Sequence, residues 1–157
     1  TITRKTARLF ESAGRLGAIL ADAGPATEQA LADYGLNLGI AFQIVDDMLD
    51  YTVDAEEMGK NAGDDLSEGK ATLPLIHALG ECAPDQHQLL SSAISEGHRD
   101  WLIEVKAIIE STSALAYTSR RARDYAEAAR QSLETLPASP YRTALADLAD
   151  FSVSRTY

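Results

Sequence analysis

Apolar residues recur at intervals of three or four positions along almost the whole chain, and this helical spacing constrains the fold more than any other feature. The apolar stripe of a first predicted helix is formed by Leu9, Ala13, Leu16 and Leu20. A Gly-Pro break at residues 22–26 ends that helix. A second helix is predicted over residues 27–51, and its apolar stripe is formed by Leu31, Leu38, Phe42, Val45 and Leu49.

The remaining segments follow the same helical pattern. Residues 52–69 are polar and lack periodicity, which predicts a long loop with room for one helical turn. Helices are then predicted over residues 72–79, 84–95 and 101–109. A long alanine-rich helix is marked by Leu115, Ala122, Ala126, Ala129, Leu133 and Leu136. A last helix begins with Ser139 as N-cap and Pro140 behind it, and its inward residues are Leu145, Leu148 and Phe151. No strand pattern competes, so the predicted fold class is all-α.

Charge and cysteine content narrow the function. The 157 residues include 24 acidic and 14 basic side chains, and the formal net charge of -10 argues against general binding of nucleic acid. The same charge suits divalent cations. The single Cys82 cannot form an intramolecular disulfide, which predicts a reducing compartment such as the cytoplasm. No apolar run reaches the ~18–20 residues of a transmembrane segment.

The stretch GIAFQIVDDMLDY, residues 39–51, places acids where core residues are expected. Gly39, Gln43, Asp46 and Asp50 share one helix face, and Asp47 lies beside them. Carboxylates at this spacing repel one another, so a compensating cation is expected. Magnesium takes one or two carboxylates and shares its other positions with water and substrate phosphates. The alternative is a solvated acidic face on an amphipathic helix.

Two lysines follow the acidic stretch. Lys60 and Lys70 flank a glycine- and aspartate-rich turn in MGKNAGDDLSEGKATLP, residues 58–74. Lysine is a point-charge partner for phosphate, and Asp64 or Asp65 could orient a lysine or hold a metal-bound water. The alternative is that the lysines only neutralise neighbouring carboxylates as surface ion pairs. Taken together, the carboxylates and lysines indicate metal-bridged phosphate binding.

The start of the chain adds a third group of candidates. Lys5 and Thr6 open the first helix, where backbone amides and the helix dipole favour an anion. The ordered pattern KTARLF, GIAFQIVDDMLDY and GKNAGDDLSEGKATLPLI resembles the trans-polyprenyl diphosphate synthases, in which FQxxDDxxD is the second aspartate-rich motif. The resemblance extends to SPYRTALADLADFSVSR in the last helix. It is greatest to the long-chain synthases that make quinone side chains.

This resemblance implies a fold, a reaction and a set of site residues. The fold would be the orthogonal helical bundle of isoprenoid synthases. The reaction would be magnesium-dependent condensation of an allylic diphosphate with isopentenyl diphosphate, usually in a homodimer. The implied magnesium ligands are Asp46, Asp47 and Asp50. The implied diphosphate contacts are Lys5, Lys60 and Lys70. The implied residues near the reacting carbon are Thr6 and Gln43, with Lys5 in the same catalytic group.

One family feature is missing from the sequence. The first aspartate-rich motif, which faces the second in the family, does not occur, since residues 46–50 form the only DDxxD. We therefore expect residues 1–157 to be the C-terminal part of a single synthase domain whose N-terminal half is absent, and to be inactive alone. One alternative is a non-catalytic subunit of a heteromeric synthase. Another is a terpene cyclase, but its NDxxSxxxE motif is not found.

Overall fold

The computed structural model describes residues 6–52, 63–97 and 99–154. The helices in these ranges are α1 (Arg8–Leu20), α2 (Pro25–Thr52), α3 (Asp64–Ser67), α4 (Leu73–Glu81), α5 (Pro84–Glu96), α6 (Leu102–Ser111), α7 (Ala114–Ser132) and α8 (Pro140–Ser154). Short 3₁₀ turns occupy Arg99–Trp101 and Leu133–Thr135. Every regular segment in these ranges is helical, which confirms the all-α prediction. None of these helices combines the length and apolar composition needed to cross a bilayer.

A local sequence signal sets the start of α8. The Oγ of Ser139 accepts a hydrogen bond from the backbone N–H of Arg142 at 3.1 Å, which confirms Ser139 as the N-cap of α8. The helical turn predicted within residues 52–69 is α3. The rest of that predicted loop, residues 53–62, lies outside the described residues.

The described residues form two compact units, the first within residues 1–45 and 120–156 and the second within residues 46–119. The core of the first unit is formed by Tyr34, Leu38, Ala129, Leu133 and Ala149. The core of the second unit includes Leu66, Leu75, Leu90, Val105 and Ile109. The unit boundary falls within α2, so residues up to Val45 contribute to one core and residues from Asp46 onward belong to the other unit.

In the first unit, α1 and α2 pack closely because glycines remove side chains from their contact. A Cβ added at Gly14 would lie 2.2 Å from the carbonyl oxygen of Leu31. A Cβ added at Gly35 would lie 2.3 Å from the carbonyl oxygen of Phe10. Both separations are far below van der Waals contact, so any side chain at either position would force the helices apart.

This close packing reverses the burial predicted for α1. The predicted stripe is exposed, with 72% of Leu9, 56% of Leu16 and 86% of Leu20 accessible. The buried residue within α1 is instead the small Ala18, and Ala7, directly before the helix, is buried too. Small side chains let two helix backbones approach closely, and the larger leucines are then left on the opposite face.

The inward face predicted for α8 is only partly correct. Leu145 does pack against the first core, but Leu148 and Phe151 are exposed. Ala149 and Ser152 are buried in their place, one and two turns after Leu145. The apolar stripes predicted for α2 and α7 are correct, since Leu38, Val45 and Leu49 on α2 are buried, as are Ala122, Ala126 and Ala129 on α7.

Candidate active site

Two groups of predicted site residues can be described, one in each unit. In the first unit, the hydroxyl of Thr6 donates a hydrogen bond to Oε1 of Gln43 at 2.6 Å. The two residues are 37 positions apart in the sequence, so this contact joins the segment before α1 to α2. The family resemblance implies that both lie near the reacting carbon, and the structure brings them together.

The second unit carries the three aspartates near the end of α2, and they differ in exposure. Asp46 is exposed, Asp50 is half-buried and Asp47 is only 6% exposed. Within residues 6–52, 63–97 and 99–154, no three His, Cys, Asp or Glu side chains converge as a metal-binding group would. The predicted acidic row therefore exists on the helix, but its members meet different environments.

Asp50 is held by the segment that follows α2. Its Oδ2 accepts a hydrogen bond from the backbone N–H of Asp65 at 3.1 Å, and its main-chain oxygen accepts one from Gly63 N–H at 3.3 Å. Gly63 has φ of 81°, a left-handed conformation that suits glycine. Burial raises the pKa of the Asp50 carboxyl, while the backbone amides of Asp65 and Asp64 act in the opposite direction.

Lys70 is also held within this segment. Its Nζ lies 2.8 Å from Oδ1 of Asp65 and 2.7 Å from Oε2 of Glu68. Hydrogen bonds from the ammonium to these two carboxylates raise the pKa of Lys70. Asp65 therefore orients a lysine, as one of the sequence alternatives proposed. Glu68 was missed, because a single glutamate in a polar turn gives no signal of its own.

Tyr51 is a second residue that sequence reasoning missed. It is buried, and its hydroxyl oxygen accepts a hydrogen bond from Oγ1 of Thr72 at 3.4 Å. Burial and the nearby charges of Asp50, Asp65 and Asp47 raise its pKa. The signal that could have identified it is its position: Tyr51 is an aromatic residue directly after Asp50, and aromatic residues at such a helix end often pack into the core.

Two predicted site residues, Lys5 and Lys60, lie outside the described residues. Their assignment as diphosphate contacts therefore stays a prediction.

Comparison with known proteins decides the family. The family model described as polyprenyl synthetase matches residues 1–112. The chain belongs to the polyprenyl synthetase family. It is 46% identical over 155 residues to octaprenyl diphosphate synthase of Escherichia coli (strain K12), covering 98% of this chain and 48% of that protein. It is 48% identical over 157 residues to octaprenyl diphosphate synthase of Haemophilus influenzae, covering 99% of this chain and 48% of that protein.

Solved structures of family members show the same fold. A polyprenyl synthase from Caulobacter crescentus, complexed with calcium and isoprenyl diphosphate, matches with a TM-score of 0.90 and 45% identity over 98% of this chain and 48% of that chain. A decaprenyl diphosphate synthase from Rhodobacter capsulatus matches with a TM-score of 0.88 and 40% identity over 97% of this chain and 47% of that chain. The chain thus spans about half the length of the relatives it matches.

Proposed function

We propose that residues 1–157 are the C-terminal part of a single prenyl synthase domain. The complete enzyme condenses an allylic diphosphate with isopentenyl diphosphate, giving a polyprenyl diphosphate one isoprene unit longer and pyrophosphate. The observation that carries this proposal is the exposed Asp46 at the acidic end of α2, in a chain that belongs to the polyprenyl synthetase family. The octaprenyl synthase relatives support a long-chain product and hence a role in making quinone side chains.

The donor set at the acidic helix end suits magnesium. Magnesium prefers oxygen ligands, takes one or two carboxylates and keeps several waters, so an exposed carboxylate on a rigid helix is sufficient. Asp46 supplies that carboxylate, and Asp47 and Asp50 add negative charge beside it. When bound, magnesium would neutralise the charge that develops on the leaving diphosphate. The relative complexed with calcium and isoprenyl diphosphate supports a divalent cation and a diphosphate as ligands.

The polar residues have distinct roles in this proposal. Lys5 and Lys60 contact diphosphate oxygens as point charges. The oxygens of Thr6 and Gln43, already hydrogen-bonded to each other, would stabilise the positive charge that develops on the allylic carbon and on the carbon from which the proton departs. Lys70 was predicted as a third diphosphate contact, but its two carboxylate partners favour a neutralising role.

Substitution of Asp46 tests the proposal. In the complete synthase, Asp46→Asn should lower turnover by about 10²–10³, comparable to losing one preorganised electrostatic group. The helix should remain folded by circular dichroism, because Asp46 is exposed. The matched control is Asp33→Asn on the same helix, where Oδ1 accepts a hydrogen bond from Nε2 of Gln29 at 2.8 Å. Near-normal turnover of Asp46→Asn would remove Asp46 from the metal site.

We also infer that the 157-residue chain alone does not transfer prenyl groups, because one acidic wall leaves a magnesium–diphosphate cluster open to water. In the complete enzyme we expect a homodimer, in the cytoplasm. Elongation of an allylic diphosphate by the chain alone would contradict the half-site argument. If instead the chain co-purified with a full-length synthase and Asp46→Asn left its activity unchanged, the chain would be a non-catalytic subunit.

A further inference from the structure

The first and last aspartates of the acidic row meet different surroundings. Asp46 is exposed, whereas Asp50 is half-buried and its carboxylate accepts the N–H of Asp65 at 3.1 Å. The main-chain oxygen of Asp50 also accepts the N–H of Gly63 at 3.3 Å. Asp50 therefore joins the end of α2 to the start of α3 through both its side chain and its backbone.

We propose that Asp50 is a positioning residue, whose carboxylate holds α3 and the Asp65–Lys70 pair at the end of α2, and that direct contact with the metal falls to Asp46. This assignment rests on the proposed function for the role of Asp46. The contacts of Asp50 themselves need no metal, so they can be tested separately.

Asp65 passes the effect of Asp50 on to Lys70. Its N–H donates to Asp50, while its own carboxylate accepts from the Lys70 ammonium at 2.8 Å. The backbone N–H of Lys70 donates to the carbonyl oxygen of Asp65 at 2.9 Å, so Lys70 is held at both its backbone and its side chain. Loss of the Asp50 carboxylate would release Asp65 and, through it, the position of a cation close to the acidic helix end.

The competing assignment is that Asp50 is itself a magnesium ligand. Two substitutions separate the two roles. Asp50→Asn keeps an oxygen that can accept the Asp65 N–H but removes the negative charge that a magnesium ligand needs. Asp50→Ala removes both the acceptor oxygen and the negative charge. The matched control is Asp46→Asn, the same substitution one helical turn earlier at an exposed position.

The experiment measures two quantities in the complete synthase. The first is hydrogen exchange, without magnesium, of the peptide covering residues 63–67. The second is the magnesium concentration at half-maximal turnover. Asp50→Ala should speed exchange by about tenfold or more, since a hydrogen bond to a charged group is lost. Asp50→Asn should speed exchange less than Asp50→Ala does, because a neutral acceptor retains part of the contact, and it should raise the magnesium requirement less than Asp46→Asn does. Asp46→Asn should leave exchange unchanged and raise the magnesium requirement.

Two results would overturn the proposal. One is an Asp50→Asn enzyme whose magnesium requirement rises as much as that of Asp46→Asn while exchange stays normal, which would make Asp50 a ligand. The other is unchanged exchange in Asp50→Ala, which would show that the carboxylate does not hold the segment. A third result separates the two proposals. If the Asp50 variants behaved as expected but Asp46→Asn left the magnesium requirement unchanged, the proposed function would fail and the positioning role of Asp50 would stand.

Discussion

The two ends of α2 are stabilised in different ways. Toward its start, in the first unit, the helix packs backbone against backbone on α1, with Gly35 under the carbonyl oxygen of Phe10. Toward its end, in the second unit, contacts are polar, and Asp50 accepts the N–H of Asp65 across a turn. The packing near the start of α2 leaves no room for an added side chain, whereas the end of α2 carries charged groups that can adjust their positions.

This difference indicates how one helix can serve both fold and chemistry. Close packing is sensitive to the size of a side chain and insensitive to pH or ions. Charged side chains at a half-exposed helix end contribute little to stability but can bind ions and substrates. We therefore expect substitutions in the first unit to change stability, and substitutions at Asp46 to change activity.

The largest stability effect should follow loss of a core leucine from α2. Leu38→Ala should lower the free energy of unfolding by about 2–5 kcal/mol, because only 4% of Leu38 is exposed and a cavity would remain. Leu16→Ala on α1 should change it by less than about 0.5 kcal/mol, since that leucine is on the exposed face. Urea unfolding of the chain measures both. Equal losses would mean that the leucine face of α1 is covered in solution.

A pair of glycine substitutions on α1 should give the next largest effect. Gly14→Ala should destabilise the chain by about 1–3 kcal/mol, because its Cβ would overlap the carbonyl oxygen of Leu31. Gly17→Ala, three residues later, has nothing within 4 Å and should stabilise by about 0.5–1 kcal/mol through helix propensity. Thermal unfolding followed by circular dichroism distinguishes the two. Stabilisation by Gly14→Ala would disprove the close contact.

Removing the hydroxyl groups of the two buried tyrosines should have smaller and unequal effects on stability. The hydroxyl of Tyr34 donates to the carbonyl oxygen of Leu145 at 2.8 Å, whereas Tyr51 has a 3.4 Å contact with Thr72. Tyr34→Phe should cost about 1 kcal/mol and Tyr51→Phe less, since the shorter bond is stronger. A greater loss with Tyr51→Phe in urea unfolding would reverse this order.

Tyr34 also predicts that the stability of the chain depends on pH. Burial raises the pKa of Tyr34 from 10.0 to about 12, so the folded state favours the protonated hydroxyl. This stabilisation is complete below pH 10 and is lost as the pH rises towards 12. Urea unfolding across that interval should show a steeper loss of stability for the unsubstituted chain than for Tyr34→Phe. Parallel curves would contradict the raised pKa.

The helices could be predicted from the sequence, but the helix faces that pack against the rest of the chain could not. Periodicity identified residues of α1 that share a face, but it contains no information about which face meets another helix. On α8 the predicted stripe is divided, since Leu145 packs against the core while Leu148 and Phe151 are exposed. On α1 a small residue decides this, because Gly14 lets the backbone of Leu31 approach and a larger side chain there would prevent that approach. The N-cap at Ser139 was predictable since its partner is only three residues away.

The same limit applies to the candidate site. The acidic row on α2 could be predicted because it depends only on spacing within one helix. The turn that carries Lys70 could be predicted because it comes soon after that row in the sequence. The hydrogen bond from Asp65 to Asp50 spans 15 residues, and the one from Thr6 to Gln43 spans 37. Contacts of this kind depend on how the intervening chain folds back, so no local pattern predicts which aspartate is held and which is exposed.

The most direct test of the proposed magnesium site is a crystal structure of the complete synthase grown with manganese and inorganic pyrophosphate. Anomalous scattering locates manganese without assumptions about its ligands. We predict a manganese ion within coordination distance of an Asp46 carboxylate oxygen and bridging to pyrophosphate, with Asp50 still bonded to Asp65. Manganese bound only at other carboxylates, with Asp46 facing solvent, would contradict the account.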